Sequence, residues 1–463
     1  MKQDEERGEP PGRDENNSRY KSLIISNIAE AYYHTYKKLS KKDAEWNIKY
    51  DFLESERAVS YDGDKKIVIT SMPLDSEYVR DLQEIVGYRD FLPISPPKPT
   101  ESICSDIMNT SEFFSNVLTL IKQNPGIEII PYVPTGEFFD LIALLKQQHV
   151  KFTTPETVLP KNRFIRDHYN CKVGFRKLWE KSNDDTNFVN IPDGFIVDDL
   201  DEAVDAAWWF TQNKKGFVMK YSRGQSGLGV VFYKYEEVPK EEKAFKDYLR
   251  SKHTDRIWFE ENFVVEEYID VDTAFYGGSP SLEFKINGEL RHTYNGVQRL
   301  NKDSYFEGFI ISKQIEEESG FDFERIVESC MPFGEALQEL GYRGIFDVDL
   351  VIDKKHNIFA VESNLRRTGA THVFETAQYV FGKNFMDKIV VASKDNLPVS
   401  KEINTYQKFK AKASHLFFSR EKGEGIIPLI TSFLPTGKIA YIIFAPTLDR
   451  MGEIEKELGS LVS

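Results

Sequence analysis

Two apolar runs that carry acids, near residue 350, constrain the fold of this chain more than any other feature. Phe346-Asp347-Val348-Asp349-Leu350-Val351-Ile352 has the length and content of a strand with two carboxylates on one face. A turn over residues 353–357 leads into a second run, Ile358-Phe359-Ala360-Val361-Glu362-Ser363-Asn364. Paired as a hairpin, the runs bring Asp349 and Glu362 together at its open end, with Asn364 on the face of Glu362. Like charges facing one another destabilise a hairpin, which argues for a cation between them. Two carboxylates and an amide oxygen are hard ligands of the kind Mg²⁺ takes while it keeps phosphate oxygens in its other positions. The spacing favours Asp349 over Asp347 as the ligand. A solvated hairpin with charged ends is the competing reading. Directly after it, Leu365-Arg366-Arg367-Thr368-Gly369 adds two guanidiniums, which suit a carboxylate or a transferring phosphoryl group.

Two earlier segments carry matching chemistry. Residues 216–220 read as a short strand that delivers Lys220 into the glycine cluster Ser222-Arg223-Gly224-Gln225-Ser226-Gly227-Leu228-Gly229. Glycine lets backbone N–H groups approach phosphate oxygens, and lysine supplies a point charge against them. The spacing is neither that of a Walker loop nor that of a kinase glycine loop, and a plain hairpin turn with a surface lysine fits as well. In Val264-Val265-Glu266-Glu267-Tyr268-Ile269-Asp270-Val271-Asp272, adjacent acids interrupt an apolar strand. Burying carboxylates costs several kcal/mol without donors, so polar work is expected at the strand end. A nucleotide suits it, through the chain edge to adenine and a carboxylate to ribose; an edge strand with acids facing water is the alternative.

The 463 residues are too many for one ordinary core, and 40% hydrophobic and 13% aromatic content is ample for several. A net charge of −14 argues against general nucleic-acid or anionic-membrane binding. Cys104, Cys171 and Cys330 have no CxxC spacing and fit free thiols in a reducing compartment, and the N-terminus is not signal-like. The expected location is cytoplasmic. The order of segments predicts a flexible polar tail over residues 1–18 and a βαβ domain over 19–160. Within that domain, strands are expected at 66–70 and 128–132, and helices at 76–86, 111–122 and 136–148. An aromatic-rich helical stretch covers 28–50. Helices at 169–181 and 198–213 then lead into hairpin-rich α+β architecture. No Ser, Cys or His nucleophile constellation is present, and the eight histidines are scattered.

Together these segments resemble the ATP-grasp superfamily, and Asn364-Leu365-Arg366-Arg367-Thr368-Gly369-Ala370-Thr371-His372 is similar to a run found in its ligases with a pre-ATP-grasp N-terminal domain, the pheganomycin-type peptide ligases. Ala370 replaces the usual second glycine. The resemblance implies a two-lobed ATP-grasp fold over 161–400 (small lobe 161–270, large lobe 271–400), preceded by the α/β pre-ATP-grasp domain and followed by a small α/β extension over 401–463. It implies ATP and Mg²⁺ as cofactors, with Asp349, Glu362 and Asn364 on the metal. Lys172 (with Lys161 and Lys177 nearby), Lys220, Ser226 and Gly227 fall to the phosphates, Glu266, Glu267 and Ile269 to the adenine hinge, and Asp272 to ribose. Arg366 is implied beside the γ-phosphate. Arg299, within the segment 294–309 that such enzymes use for the acceptor, is a further catalytic or carboxylate-binding candidate, with Gln298 and Tyr305 beside it. The implied activity joins a small-molecule carboxylate to an amine, an amino acid or peptide; a kinase on this fold and a non-catalytic nucleotide binder stay open. Dimers are common among such ligases, which leaves a homodimer open too.

Overall fold

The computed structural model describes residues 18–184, 187–224, 229–260, 262–274, 276–302 and 304–463. Residues 1–17 of the tail predicted over 1–18, and the phosphate-loop residues Ser226 and Gly227, lie outside the described residues.

The N-terminal sheet is fully parallel, in the order β3-β2-β1-β4-β5, from β1 (Ser22–Ile25), β2 (Lys66–Ile69), β3 (Phe91–Ile94), β4 (Ile127–Pro131) and β5 (Phe152–Thr153). Its central strands are continuous apolar runs because helices cover both faces. The strand β3 escaped the sequence reading because Pro93 lies within it; proline is tolerated there because β3 is an edge. Helix Ser76–Val86 starts where the Asp75 carboxylate accepts from the Glu77 and Tyr78 amides. The stretch expected as one helix over 28–50 is two, Ile28–Tyr36 and Lys41–Glu54, because Ser40 caps the second by accepting from the Asp43 amide.

Strand β6 (Val189–Asn190) precedes a four-stranded antiparallel sheet in the order β7-β10-β8-β9: β7 (Gly194–Val197), β8 (Phe217–Tyr221), β9 (Val230–Tyr233) and β10 (Phe263–Glu267). The helix expected over 169–181 is Phe164–Tyr169 followed by Lys172–Ser182. Gly174 lets the two meet, since a Cβ there would lie 1.8 Å from the His168 carbonyl oxygen.

A nine-stranded sheet holds the rest, ordered β17-β18-β16-β13-β12-β11-β14-β15-β6. Its remaining strands are β11 (Pro280–Asn287), β12 (Glu289–Leu300), β13 (Phe306–Ile311), β14 (Gly344–Ile352), β15 (Ile358–Glu362), β16 (Val390–Pro398), β17 (Gly425–Leu429) and β18 (Lys438–Ala445). The segment expected as a separate extension over 401–463 thus continues the large sheet through β17 and β18, while β6 closes the other end against β15. One apolar core joins Ile24, Val68 and Ile130 of the parallel sheet to Ile311, Val391, Ile442 and Phe444. The N-terminal domain is therefore welded to the large sheet by apolar burial rather than tethered to it.

Candidate active site

The acid hairpin forms in the expected register: Asp349 pairs directly with Glu362 across β14 and β15. Asp347, two residues back, lies on the same face. Its Oδ1 accepts from the Asn364 amide N–H at 2.7 Å and from Asn364 Nδ2 at 3.0 Å. Asp349 Oδ1 accepts from Gln298 Nε2 at 2.8 Å, and Glu362 Oε1 accepts from Lys172 Nζ at 3.0 Å. Burial, opposed by Arg366, pushes the Asp347 carboxyl up to about 7; burial and the neighbouring acids hold Asp349 well above the usual carboxylate range. Among the described residues, no group of three or more His, Cys, Asp or Glu is arranged as a metal cluster. The donor set is two carboxylates and one amide, all hard oxygens that fit Mg²⁺. Asn364 turns its nitrogen toward the acids and its oxygen toward Arg366 Nη2 at 2.9 Å. Ligation through that oxygen needs a rotation of the amide and no backbone change.

A cavity of about 590 Å³ runs from the small-lobe strands past this hairpin. Lys220, Glu266, Glu267 and Ile269 line one end of it, Asp349, Glu362 and Asn364 the middle, and Arg366 the far end. Lys220 Nζ is ion-paired with Glu266 and donates to the Val361 carbonyl at 3.3 Å. Glu266 also takes Arg176 Nη1 at 3.2 Å, so its carboxylate is the buried counter-ion of two cations. Lys172 begins its helix and ion-pairs with Glu362 at 3.0 Å.

Among the described sequence-predicted residues, Lys172, Asp272 and Arg299 do not line this cavity. Asp272 is absent from its walls; one carboxylate oxygen accepts from the Ala274 amide and the other lies 3.7 Å from His356. Arg299, expected as a catalytic or carboxylate-binding candidate, grips Glu455 in the last helix through its guanidinium at 2.6 and 3.0 Å and also donates to the Ser393 carbonyl. The pleat explains this. Successive side chains of β12 point to opposite faces, so Gln298 faces the cavity and Arg299 faces away. His372 is buried at 1% exposure and does not line the cavity; burial and the nearby Arg57 hold its imidazole well below the usual value, hence neutral.

The sequence reading missed the far wall. Glu54, Arg57 and Tyr132 of the N-terminal domain close the cavity beyond Arg366, with Phe306 and Phe309 beside them. Arg366 donates through Nε to the Tyr32 hydroxyl at 2.6 Å, and its guanidinium lies 5.3 Å from the Tyr132 ring centre. Glu54 and Arg57 belong to no motif, so only the packing of the two domains reveals them.

No protein-family model matches the sequence. A stretch of 74 residues is 35% identical to the L-propargylglycine–L-glutamate ligase of Streptantibioticus cattleyicolor, covering 16% of this chain and 15% of that protein. Another of 266 residues is 21% identical to the butirosin acyl-carrier protein–L-glutamate ligase of Niallia circulans, covering 55% of each. The chain thus spans about half the length, or less, of the curated relatives it matches. In three dimensions it is similar to a Campylobacter jejuni biotin carboxylase in a β-γ-ATP complex (TM-score 0.52, 12% identity, covering 96% of this chain and 91% of that one). It is also similar to the MgADP-bound biotin carboxylase domain of a Hydrogenobacter thermophilus 2-oxoglutarate carboxylase (TM-score 0.51, 13% identity, 95% and 90% covered). With those likenesses spanning nearly the whole chain, and with the acid hairpin, lysine strand and arginine loop facing one cavity, this chain has the ATP-grasp fold.

Proposed function

We propose that this chain is an ADP-forming carboxylate–amine ligase that activates an acid as its acyl phosphate with ATP and Mg²⁺. The observation that carries this reading is the gathering of Lys220, Asp349, Glu362, Asn364 and Arg366 on one cavity. The two partial relatives are named as ligases acting with L-glutamate, which supports an amino acid among the substrates.

In this reading Lys220 draws the phosphate chain into the cavity, with Lys172 beside it on Glu362, and the backbone just past β10, near Ile269, takes the base. Asp349, Glu362 and the Asn364 oxygen would hold Mg²⁺, which when bound neutralises phosphate charge and aligns the transferring group. Arg366 orients the acid's carboxylate for attack on the γ-phosphorus and stabilises charge that develops there. The amine then displaces phosphate from the acyl phosphate, giving the amide. Positioning and electrostatics account for most of the rate, which agrees with the lack of a nucleophile triad. The test is ADP release from acid and amine pairs with product masses. Phosphate should appear only when both substrates are present, and Glu362→Ala should abolish Mg²⁺-dependent ADP formation while the fold persists. Full turnover in that variant removes the site assignment.

A further inference from the structure

The far end of the cavity presents two opposite charges to one space. Arg366, 9% exposed, bonds only to the Tyr32 hydroxyl, the Asn364 amide oxygen and the Arg367 carbonyl, and among the described residues no carboxylate lies within ion-pair distance of it. Across from it, Arg57 stands between two acids. Its Nη2 binds Glu54 Oε1 and, at 2.6 Å, Asp395 Oδ2. One buried guanidinium against two buried carboxylates leaves one negative charge in excess when both acids are ionised. Glu54 is the acid that lines the cavity, and its Oε2 meets no hydrogen-bond donor among the described residues. Burial, with the neighbouring Asp395, raises the Glu54 carboxyl above the usual carboxylate range, against the opposing pull of Arg57 and Arg366. Tyr132, Phe306 and Phe309 line the same cavity, with the Arg366 guanidinium 5.3 Å from the Tyr132 ring centre.

A cation with no ion-pair partner and a carboxylate that shares its one guanidinium with a second acid, both facing one cavity, are complementary to a zwitterion, since a ligand bearing both opposite charges neutralises each in a low-dielectric site. We propose that Glu54, from the N-terminal domain, is a specificity-determining residue that binds the ammonium group of the acid substrate while Arg366 takes its carboxylate. The activated substrate is then a free α-amino acid rather than a des-amino acid or the C-terminus of a peptide, whose carboxylate has no neighbouring ammonium. Arg57 is a positioning residue that holds Glu54 in place from the Asp395 side. This assignment rests on the ligase reading above. It gives the N-terminal domain a part in substrate choice, consistent with its rigid apolar seam to the large sheet.

The experiment compares matched acids in the wild-type enzyme: L-alanine with propionate, L-leucine with 4-methylpentanoate, and L-phenylalanine with 3-phenylpropanoate. Hydroxylamine serves as the amine, and ADP and hydroxamate are both measured. The amino acid of at least one pair should be turned over with kcat/KM at least about 10-fold above its des-amino partner. Glu54→Gln should raise KM for that amino acid about 10- to 100-fold, with a smaller change in kcat, and leave KM for the des-amino acid unmoved. A thermal shift with MgADP checks that the variant is folded; if it is not, the wild-type comparison decides by itself. Equal use of both members of every pair, or an equal loss on both in Glu54→Gln, overturns the role of Glu54 and leaves the ligase reading standing. ADP release with no carboxylate at all overturns the ligase reading and this one with it.

Discussion

Replacing Arg299 separates its structural role from the catalytic one that its sequence position implied. Arg299 and Glu455 side chains are 23% and 17% exposed, and the guanidinium meets the carboxylate through two N–H groups at 2.6 and 3.0 Å. Breaking a fully buried pair costs about 3–5 kcal/mol, whereas an exposed one is worth about 0.2–1 kcal/mol. Partial exposure puts Arg299→Met between these, at about 2 kcal/mol, and methionine keeps the packing of the stem. Glu455→Gln should cost about the same, and the double variant should show about 1–2 kcal/mol of coupling, because either change alone already forfeits the pair. The assay is urea unfolding followed by fluorescence, alongside ADP release measured well below the melting temperature. Stability should fall by the stated amount while kcat stays within about twofold of wild type. A loss of kcat of about 100-fold with unchanged stability refutes the structural reading and returns Arg299 to the reaction.

Other expectations follow from the same geometry. Asp349→Asn should remove the Mg²⁺-dependent part of the thermal stabilisation by nucleotide, which for a ligand at 100 times its Kd is about 2.7 kcal/mol in the wild type; an undiminished Mg²⁺ effect in a calorimetric scan would exclude Asp349 as a ligand. His253 is 2% exposed and burial lowers its pKa to about 4, so the unfolded chain binds the extra proton between pH 6.5 and 4. Stability from this residue is complete above pH 6.5 and declines as pH falls through that window, by on the order of 3 kcal/mol, a slope that His253→Gln should flatten in denaturation midpoints. Gly308 has φ +152°, and a Cβ there would lie 2.1 Å from the Ser393 carbonyl oxygen. Gly308→Ala should therefore prise β13 from β16 at a cost of roughly 3 kcal/mol, seen as a lower urea midpoint.

What the sequence made legible was whatever one strand or one hairpin encodes. The alternation of Asp347 and Asp349, and the distance from Asp349 to Glu362, fixed a face and a register, and the structure keeps both. The same period-two rule, applied to β12, separates Gln298 from Arg299 and selects the glutamine for the cavity. The charge of Arg299 is legible in the sequence, whereas its partner Glu455, 156 residues on, is not. The Glu54–Arg57–Asp395 cluster lay beyond this kind of reading: Arg57 and Asp395 are 338 residues apart, and neither sits in a recognisable motif. Local patterns report the groups that an ATP-grasp site shares, because each element carries its own portion of them. Groups that select a substrate are assembled from surfaces that meet only when the domains pack. It follows that exchanging the N-terminal domain between chains of this fold should alter which acid is activated more than whether ATP is used. Altering the 346–366 hairpin and arginine loop should do the reverse.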